Sequence, residues 1–347
     1  MDPKRCLVLS RLLAQVRKPW SVALTLIAAG AISATAAAAT FEMKISHAAN
    51  TKHPIHVTLE RFKELAEKRS SGRLQVKVFH SGQLAGQREG VEGVQLGTIE
   101  AVAIPAGVAA GFAPSFMLLD IPFQFESLAH GRKVMDKHAD SLIFGGIEQV
   151  GFVGLAVWEQ GYRNLGTTKR SVKAFADVKD LKVRTLEAPL HVIAWRAVGA
   201  NPTPMGWAEV LPALQQGVVD GVEIPSYLFT QTGLHEVVKN VTLTQHIYDS
   251  VIVLASKKWM DRLPADLQRV VRDTMRELTA MQRDLNQGDV EKAEAEMPRL
   301  GVTLNKLAPV ERKRFASASQ PPVLQAIKAR LPEDRLNSWM KAVSAAK

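Results

Sequence analysis

Residues 181–225 constrain the chain most. The stretch LKVRTLEAPLHVIAWRAVGANPTPMGWAEVLPALQQGVVDGVEIP reads as strand, helix, turn, short helix, strand. Leu181–Thr185 is a short apolar run that holds one cation, Arg184. Pro189 suits a first helical turn, where its missing N–H would be unpaired anyway, and Gly199 suits the stop. The Asn201-Pro-Thr-Pro segment cannot continue a helix, because proline lacks the donor and restricts the residue before it. Ala208–Gln216 supplies about two further turns ended by Gly217, and Val218–Ile224 returns to the sheet. An arginine in an otherwise buried strand requires an anion, and its planar fork suits a carboxylate held by two hydrogen bonds. That anion is either a residue of the chain, Glu187 or Asp220, or a bound ligand.

The flanking sequence carries the same α/β rhythm. Phe41–Ser46, Leu74–Phe79 and Ala101–Ile104 read as strands. Between them lie a helix from Pro54, with Ile55, Leu59, Phe62 and Ala66 on one stripe, and a turn plus short helix over Gly82–Gly97. Pro105–Pro114 is a loop of small residues after a strand, a common place for ligands in open α/β sheets. Gly151–Trp158 is an apolar strand followed by Arg163, and Val241–Thr244 and Ser250–Ser256 are later strands. Pro264–Met297 is one helical pattern spanning about 50 Å, longer than a single lobe needs, with Gly288 as a place to bend. Pro309–Lys347 is terminal helix.

The amino terminus reads differently. Met1–Pro19 is basic, Trp20–Ile32 apolar and Ala34–Ala39 small, the three-part pattern of a secretory signal peptide with an Ala-x-Ala site near Ala39. The alternative is a retained anchor, although the apolar run is shorter than the ~20 residues a bilayer needs. Lys4, Arg5, Arg11, Arg17 and Lys18 in this segment account for part of the formal charge of +10, and the remainder is spread without a basic run. That pattern excludes nucleic acid as an evident partner. The one cysteine, Cys6, precedes the apolar run, so the mature chain has neither disulfide nor thiol chemistry.

The motifs LKVRTLEAP, GANPTPMGWAEVLPALQQGVVDGVEIP and WEQGYRNL closely resemble the DctP-type solute-binding proteins of TRAP (tripartite ATP-independent periplasmic) transporters. Weaker matches run through SHAANTKHP, SGQLAGQREGVEGVQLGTIEA and DIPFQF, so the resemblance covers nearly the whole mature chain. It implies a two-lobed α/β periplasmic-binding-protein fold, with mixed sheets flanked by helices and a long inter-lobe helix. The expected lobes are residues 40–160 with 249–288 and residues 161–248 with 289–347. It also implies a periplasmic, non-enzymatic protein without cofactor that passes a small organic acid to membrane permease subunits.

The resemblance assigns the ligand carboxylate to Arg184, with Arg163 assisting; the other reading of Arg163 is a surface arginine at a strand end. Trp207 stands where the family packs an aromatic ring on the ligand, against core filling as the alternative. Ile224 departs from the family's Gln-Glu-Asn-Pro pattern, so one hydrogen bond to the carboxylate is missing. Ala48 and Ile104 lie where sialic-acid-binding members carry polar groups. These positions point away from a sugar acid and toward an aromatic or branched aliphatic acid. Glu187 is a further pocket candidate, and with Asp220 a conceivable acid–base pair. His53 and His56 are read as helix-end packing rather than a metal site, and Glu223 is the candidate ligand if a cation accompanies the substrate. The competing functions are a sensor ectodomain and a secreted α/β hydrolase-like enzyme; no Gly-x-Ser-x-Gly elbow supports the second.

Overall fold

Strand and helix periodicities alternate from the first residues of the mature chain onward. The structure, a computed structural model, describes residues 40–347; the leader and its expected cleavage site lie outside the described residues. Strand β1 (Phe41–Ser46) leads to α1 (Pro54–Arg69), which buries Ile55, Leu59, Phe62 and Ala66 as the spacing predicts. After β2 (Leu74–Phe79) and α2 (Gln87–Leu96) comes β3 (Ala101–Pro105), and β1 pairs in parallel with both strands. The expected loop over 105–114 opens instead with a short helix, α3 (Ala106–Ala109), and α4 (Leu128–His138) follows.

The middle of the chain holds β4 (Phe152–Thr167), β5 (Lys182–Thr185), α5 (Pro189–Ala197), β6 (Asn201–Pro204) and α6 (Val210–Gln215). Then come β7 (Gly221–Pro225), α7 (Ser226–Gln231) and β8 (Asn240–Ser256). The remainder is α8 (Lys257–Met260), α9 (Ala265–Glu277), α10 (Thr279–Glu296), β9 (Thr303–Lys306), α11 (Pro309–Lys328) and α12 (Glu333–Ala345).

The strands form one nine-stranded mixed sheet in the order β2-β1-β3-β8-β4-β7-β5-β6, with β9 also on β8. Continuity comes from β4 and β8, which pair antiparallel along their length. The carboxyl half of β8 receives β3 and its amino half receives β9, while the carboxyl half of β4 receives β7. Each of these two strands thus serves both halves of the fold. The expectation of separate sheets is corrected accordingly, and so are the strand ends: the 151–158 strand runs on through Arg163, and 241–244 and 250–256 are one strand. The polar residues that interrupt the apolar pattern, Glu159, Gln160, Arg163 and Asp249, are buried and partnered inside the protein, so they continue the strands instead of ending them.

Three other boundaries differ from expectation. Asn201–Pro204 is not a bare turn but an edge strand. Asn201 and Met205 donate to Leu181 and Thr185 on β5, and Pro202 and Pro204 lie where an edge strand needs no donor. The single long helix is two, α9 and α10, meeting at Leu278 and not bending at Gly288. Its buried face rotates at that junction. α9 buries Leu267, Val271 and Met275, whereas α10 buries Gln282, Arg283 and Asn286 and leaves Leu285 36% exposed. The cause is the surface it covers: Gln282 accepts from the Glu159 N–H and donates to the Glu159 carbonyl on β4. The carboxyl-terminal helix is also split, at Leu331-Pro332, and α12 packs against α4 rather than with the second half. His130 Nε2 lies 2.8 Å from the Val343 carbonyl, and Trp339 Nε1 donates to Gln124.

Gly161, within β4, has φ +81°, and a Cβ there would stand 3.3 Å from Val290. Gly288, in α10, has open space where a Cβ would go. Gly161→Ala is therefore expected to destabilise by about 1–2 kcal/mol from left-handed strain. Gly288→Ala should stabilise by about 0.5–1 kcal/mol, because alanine loses less entropy in a helix. Thermal melting of the two variants checks the opposite signs.

Candidate functional site

A cavity of about 480 Å³ opens at the carboxyl ends of the parallel strands of both halves. β1 runs into Ala48 and Asn50, β3 supplies Ala103 and Pro105, β5 supplies Arg184, and β7 supplies Ile224. Gln160 and Arg163 reach it from the middle of β4. A volume of this size suits a small organic molecule.

Arg184 is 1% exposed. Its Nε and Nη2 donate to one acceptor, the Met205 carbonyl, at 3.2 and 2.7 Å, and Nη1 has no hydrogen-bond partner among the described residues. The guanidinium carbon lies 5.8 Å from the centre of the Trp207 ring. Burial, and then the nearby Arg163 charge, push its pKa down to about 10, so it stays protonated at neutral pH. Neither internal anion considered for it is in place. Among the described residues no carboxylate forms an ion pair with Arg184, and Asp220 accepts instead from the Lys182 N–H at 3.0 Å.

Arg163 is the opposite case, and the surface reading of it fails: it is 2% exposed and its fork is fully used. Nε and Nη2 donate to the Glu223 carboxylate, and Nη1 donates to Asp249 at 2.7 Å. Glu223 has no exposed surface and also faces His191 Nδ1 at 3.1 Å and His246 Nε2 at 3.3 Å. Burial alone would raise the Glu223 pKa, but the Arg163 and His191 charges outweigh it and hold the group well below the usual carboxylate range. With its oxygens occupied in this way, Glu223 is a structural anion, not a free cation ligand. Burial lifts Asp249 to about 6 against the pull of Arg163. His191 is raised to about 9, because Glu223 and Asp120 together overcome the burial that opposes its charge.

The expected pocket residues divide. Arg184, Arg163, Trp207, Ile224 and Ala48 line the cavity together. Ile104 does not: the β3 pleat presents Ala103 and Pro105 to the cavity and turns Ile104 into the apolar core on the other face. Glu187 is half-buried and is absent from the lining. Several polar groups escaped the sequence reading, and they correct its premise that the pocket has few. His53 does cap α1, with Nδ1 accepting from the Ile55 N–H, but the same ring has a second role. With Nδ1 an acceptor, His53 Nε2 donates toward Tyr227 Oη at 2.7 Å, Tyr227 donates to Gln160 Oε1 at 3.0 Å, and Gln160 Nε2 faces Asp249 at 3.4 Å. His47, Asn50, Ser81 and Gln87 add further uncharged polar groups to the wall. Only their position just past predicted strand ends marked His47, Asn50 and Ser81 in the sequence, while Gln87 stands at the start of α2.

The sequence profile of the bacterial extracellular solute-binding proteins, family 7 (DctP), matches residues 45–329. A solute-binding protein of Verminephrobacter eiseniae is 37% identical over 289 residues, covering 83% of this chain and 85% of the relative. The 2,3-diketo-L-gulonate-binding periplasmic protein YiaO of Escherichia coli is 31% identical, covering 86% and 90%. A TRAP periplasmic solute-binding protein from Desulfovibrio salexigens, solved with bound orotic acid, superposes with a TM-score of 0.85 at 25% identity. That match covers 89% of this chain and 100% of the other.

The raised pKa of His191 fixes the sign of a pH effect. Its stabilisation is fully present below the unfolded pKa of about 6.5 and is lost as pH rises through about 9. Urea denaturation of the wild type should thus show stability falling between pH 6.5 and 9, by up to about 3 kcal/mol from this group. His191→Gln, which keeps a hydrogen-bonding side chain without the titration, should flatten that slope.

Proposed function

Because the chain belongs to family 7 of the bacterial extracellular solute-binding proteins and is the substrate-binding component of a TRAP transporter, we propose that Arg184 is its receptor for the carboxylate of a monocarboxylic acid. The observation that carries this reading is the contrast between the two buried arginines. Arg163 is neutralised by Glu223 and Asp249, while Arg184 shares one carbonyl and keeps Nη1 without a partner. A buried guanidinium is stabilised most by a planar anion that takes two of its donors. Arg163 then acts through its field and through the placing of Glu223. The body of the ligand packs on Trp207, Ile224 and Leu186, surfaces that favour an aromatic or branched aliphatic acid.

The two lobes are assigned as residues 40–160 with 249–288 and 161–248 with 289–347, except that α12 goes with the first because of its packing on α4. The segment ending near Ala39 is removed on export, and the mature protein hands its ligand unchanged to the permease. N-terminal sequencing of periplasmic protein is expected to begin close to Thr40. A start before Ile32 would mean that an anchor is retained.

Calorimetric titration with orotate, benzoate, 2-methylbutyrate and 2,3-diketo-L-gulonate tests the site. Arg184→Ala should weaken the tightest of these by roughly 30- to several-thousand-fold, the loss expected when one member of a desolvated charge pair is removed. Arg184→Lys should also lose affinity, because an ammonium lacks the fork. Both variants should melt near the wild type. Arg163→Ala should instead unfold far more easily, by about 3–5 kcal/mol, since it strands two buried carboxylates. Folded Arg184→Ala protein that binds within about threefold of wild type would place the carboxylate elsewhere. A sugar acid bound most tightly of all would overturn the ligand class and leave the transport role standing.

A further inference from the structure

His47, one of the residues lining the cavity, carries a buried ring nitrogen with no hydrogen-bond partner among the described residues. His47 follows β1 and is 2% exposed. Its backbone is held on both sides, the N–H donating to Phe79 and the carbonyl accepting from Gly82, so the ring is firmly placed. Nε2 lies 3.2 Å from His56 Nδ1, and Nδ1 has no hydrogen-bond partner among the described residues. A buried ring nitrogen left unpaired is costly and calls for an explanation.

We propose that His47 Nδ1 reads an uncharged hydrogen-bonding group, a hydroxyl or a carbonyl, on the ligand at the end remote from its carboxylate. The proposal rests on Arg184 as the carboxylate receptor. The pairing with His56 decides what Nδ1 can do. If the bridging proton belongs to His47 Nε2, Nδ1 is an acceptor suited to a hydroxyl. If it belongs to His56 Nδ1, the His47 proton sits on Nδ1 and donates to a carbonyl. His56 is only half-buried, so its proton exchanges with water and either arrangement is within reach.

The rest of this wall excludes the other kinds of group. Burial, and then the neighbouring histidine charges, push the His47 pKa down to about 3, and burial does the same to His53. Neither ring is a cation at neutral pH. Asn50, Ser81 and Gln87 are uncharged, and among the described residues the only charged ones lining the cavity are Arg163 and Arg184. A second carboxylate at this end would be desolvated with no counter-ion. A hydrocarbon end would leave Nδ1 unpaired. The ligand class is therefore a monocarboxylate with a neutral polar group at its far end, which would touch both halves of the fold at once.

Calorimetric titration of the full mature chain with two matched sets tests this. The first set is benzoate, 3- and 4-hydroxybenzoate, 3- and 4-acetylbenzoate and terephthalate. The second is hexanoate, 6-hydroxyhexanoate, 5-oxohexanoate and adipate. In at least one set the best hydroxy or keto acid is expected to bind about tenfold more tightly than both its hydrocarbon parent and its dicarboxylate. His47→Phe should reduce that preference to within about threefold while the parent's affinity holds. Nitrogen NMR of the wild-type imidazoles gives a second readout that needs no variant: a keto acid at saturation should move the His47 proton onto Nδ1. Wild-type affinities without the preference in either set, a preference that survives in His47→Phe, or His47 resonances unmoved by every polar acid would each overturn the proposal. Arg184→Ala separates the two readings. If it leaves all affinities unchanged, the carboxylate assignment fails, while the wild-type and His47→Phe comparison still judges the distal one.

Discussion

Glu223 sits on β7 with no exposed surface, and an ionised carboxylate in such a place is tolerated only if cations and donors surround it. Much of the site follows from that requirement. Arg163 must reach across from β4 with two donors, His191 must hold its proton, and Asp249 must take the one guanidinium nitrogen left over. Once this cluster is complete, no carboxylate among the described residues is left to pair with Arg184. The chemistry open to the cavity is thus decided by what Glu223 has already claimed.

The same cluster explains how one sheet serves two halves. Glu159, Gln160, Arg163 and Asp249 occupy the middle stretches of β4 and β8, and each is partnered within the fold. Helix α10 covers that region with Gln282, Arg283 and Asn286 rather than with leucines, because the strand beneath it presents polar groups. Among the described residues Asn286 has no hydrogen-bond partner for its side-chain oxygen or nitrogen, and its amide nitrogen is 3.6 Å from where a Cβ of Gly161 would lie. Fewer apolar contacts are lost when such a polar interface shifts than when a leucine interface does.

The sequence was most readable where the pattern was local. The stripe Ile55–Leu59–Phe62–Ala66, the helix opened by Pro189 and the buried cation at Arg184 all follow from spacing or from one residue's chemistry. It was least readable where a distant partner decides the outcome. Arg163 looks like the end of a strand until Glu223, sixty positions away, is placed beside it. Leu285 looks buried until the face of α10 is seen to rotate toward Glu159. Ile104 was misplaced by one step of the pleat, an error that a period of two makes absolute. For His47 the sequence offered only its place just past the end of a strand, since a ring nitrogen without a partner is a property of the folded arrangement.

The two rims of the sheet differ in a way that matters beyond ligand capture. An open sheet edge offers unpaired N–H and C=O groups to the edge of another copy. The rim formed by β6 presents Pro202 and Pro204, which have no N–H to offer an incoming strand. The opposite rim, β2, turns Gln75 and Lys77 to solvent, and Lys77 is paired with Glu42. The prolines of this edge strand therefore also deny copies of the protein a template for polymerisation.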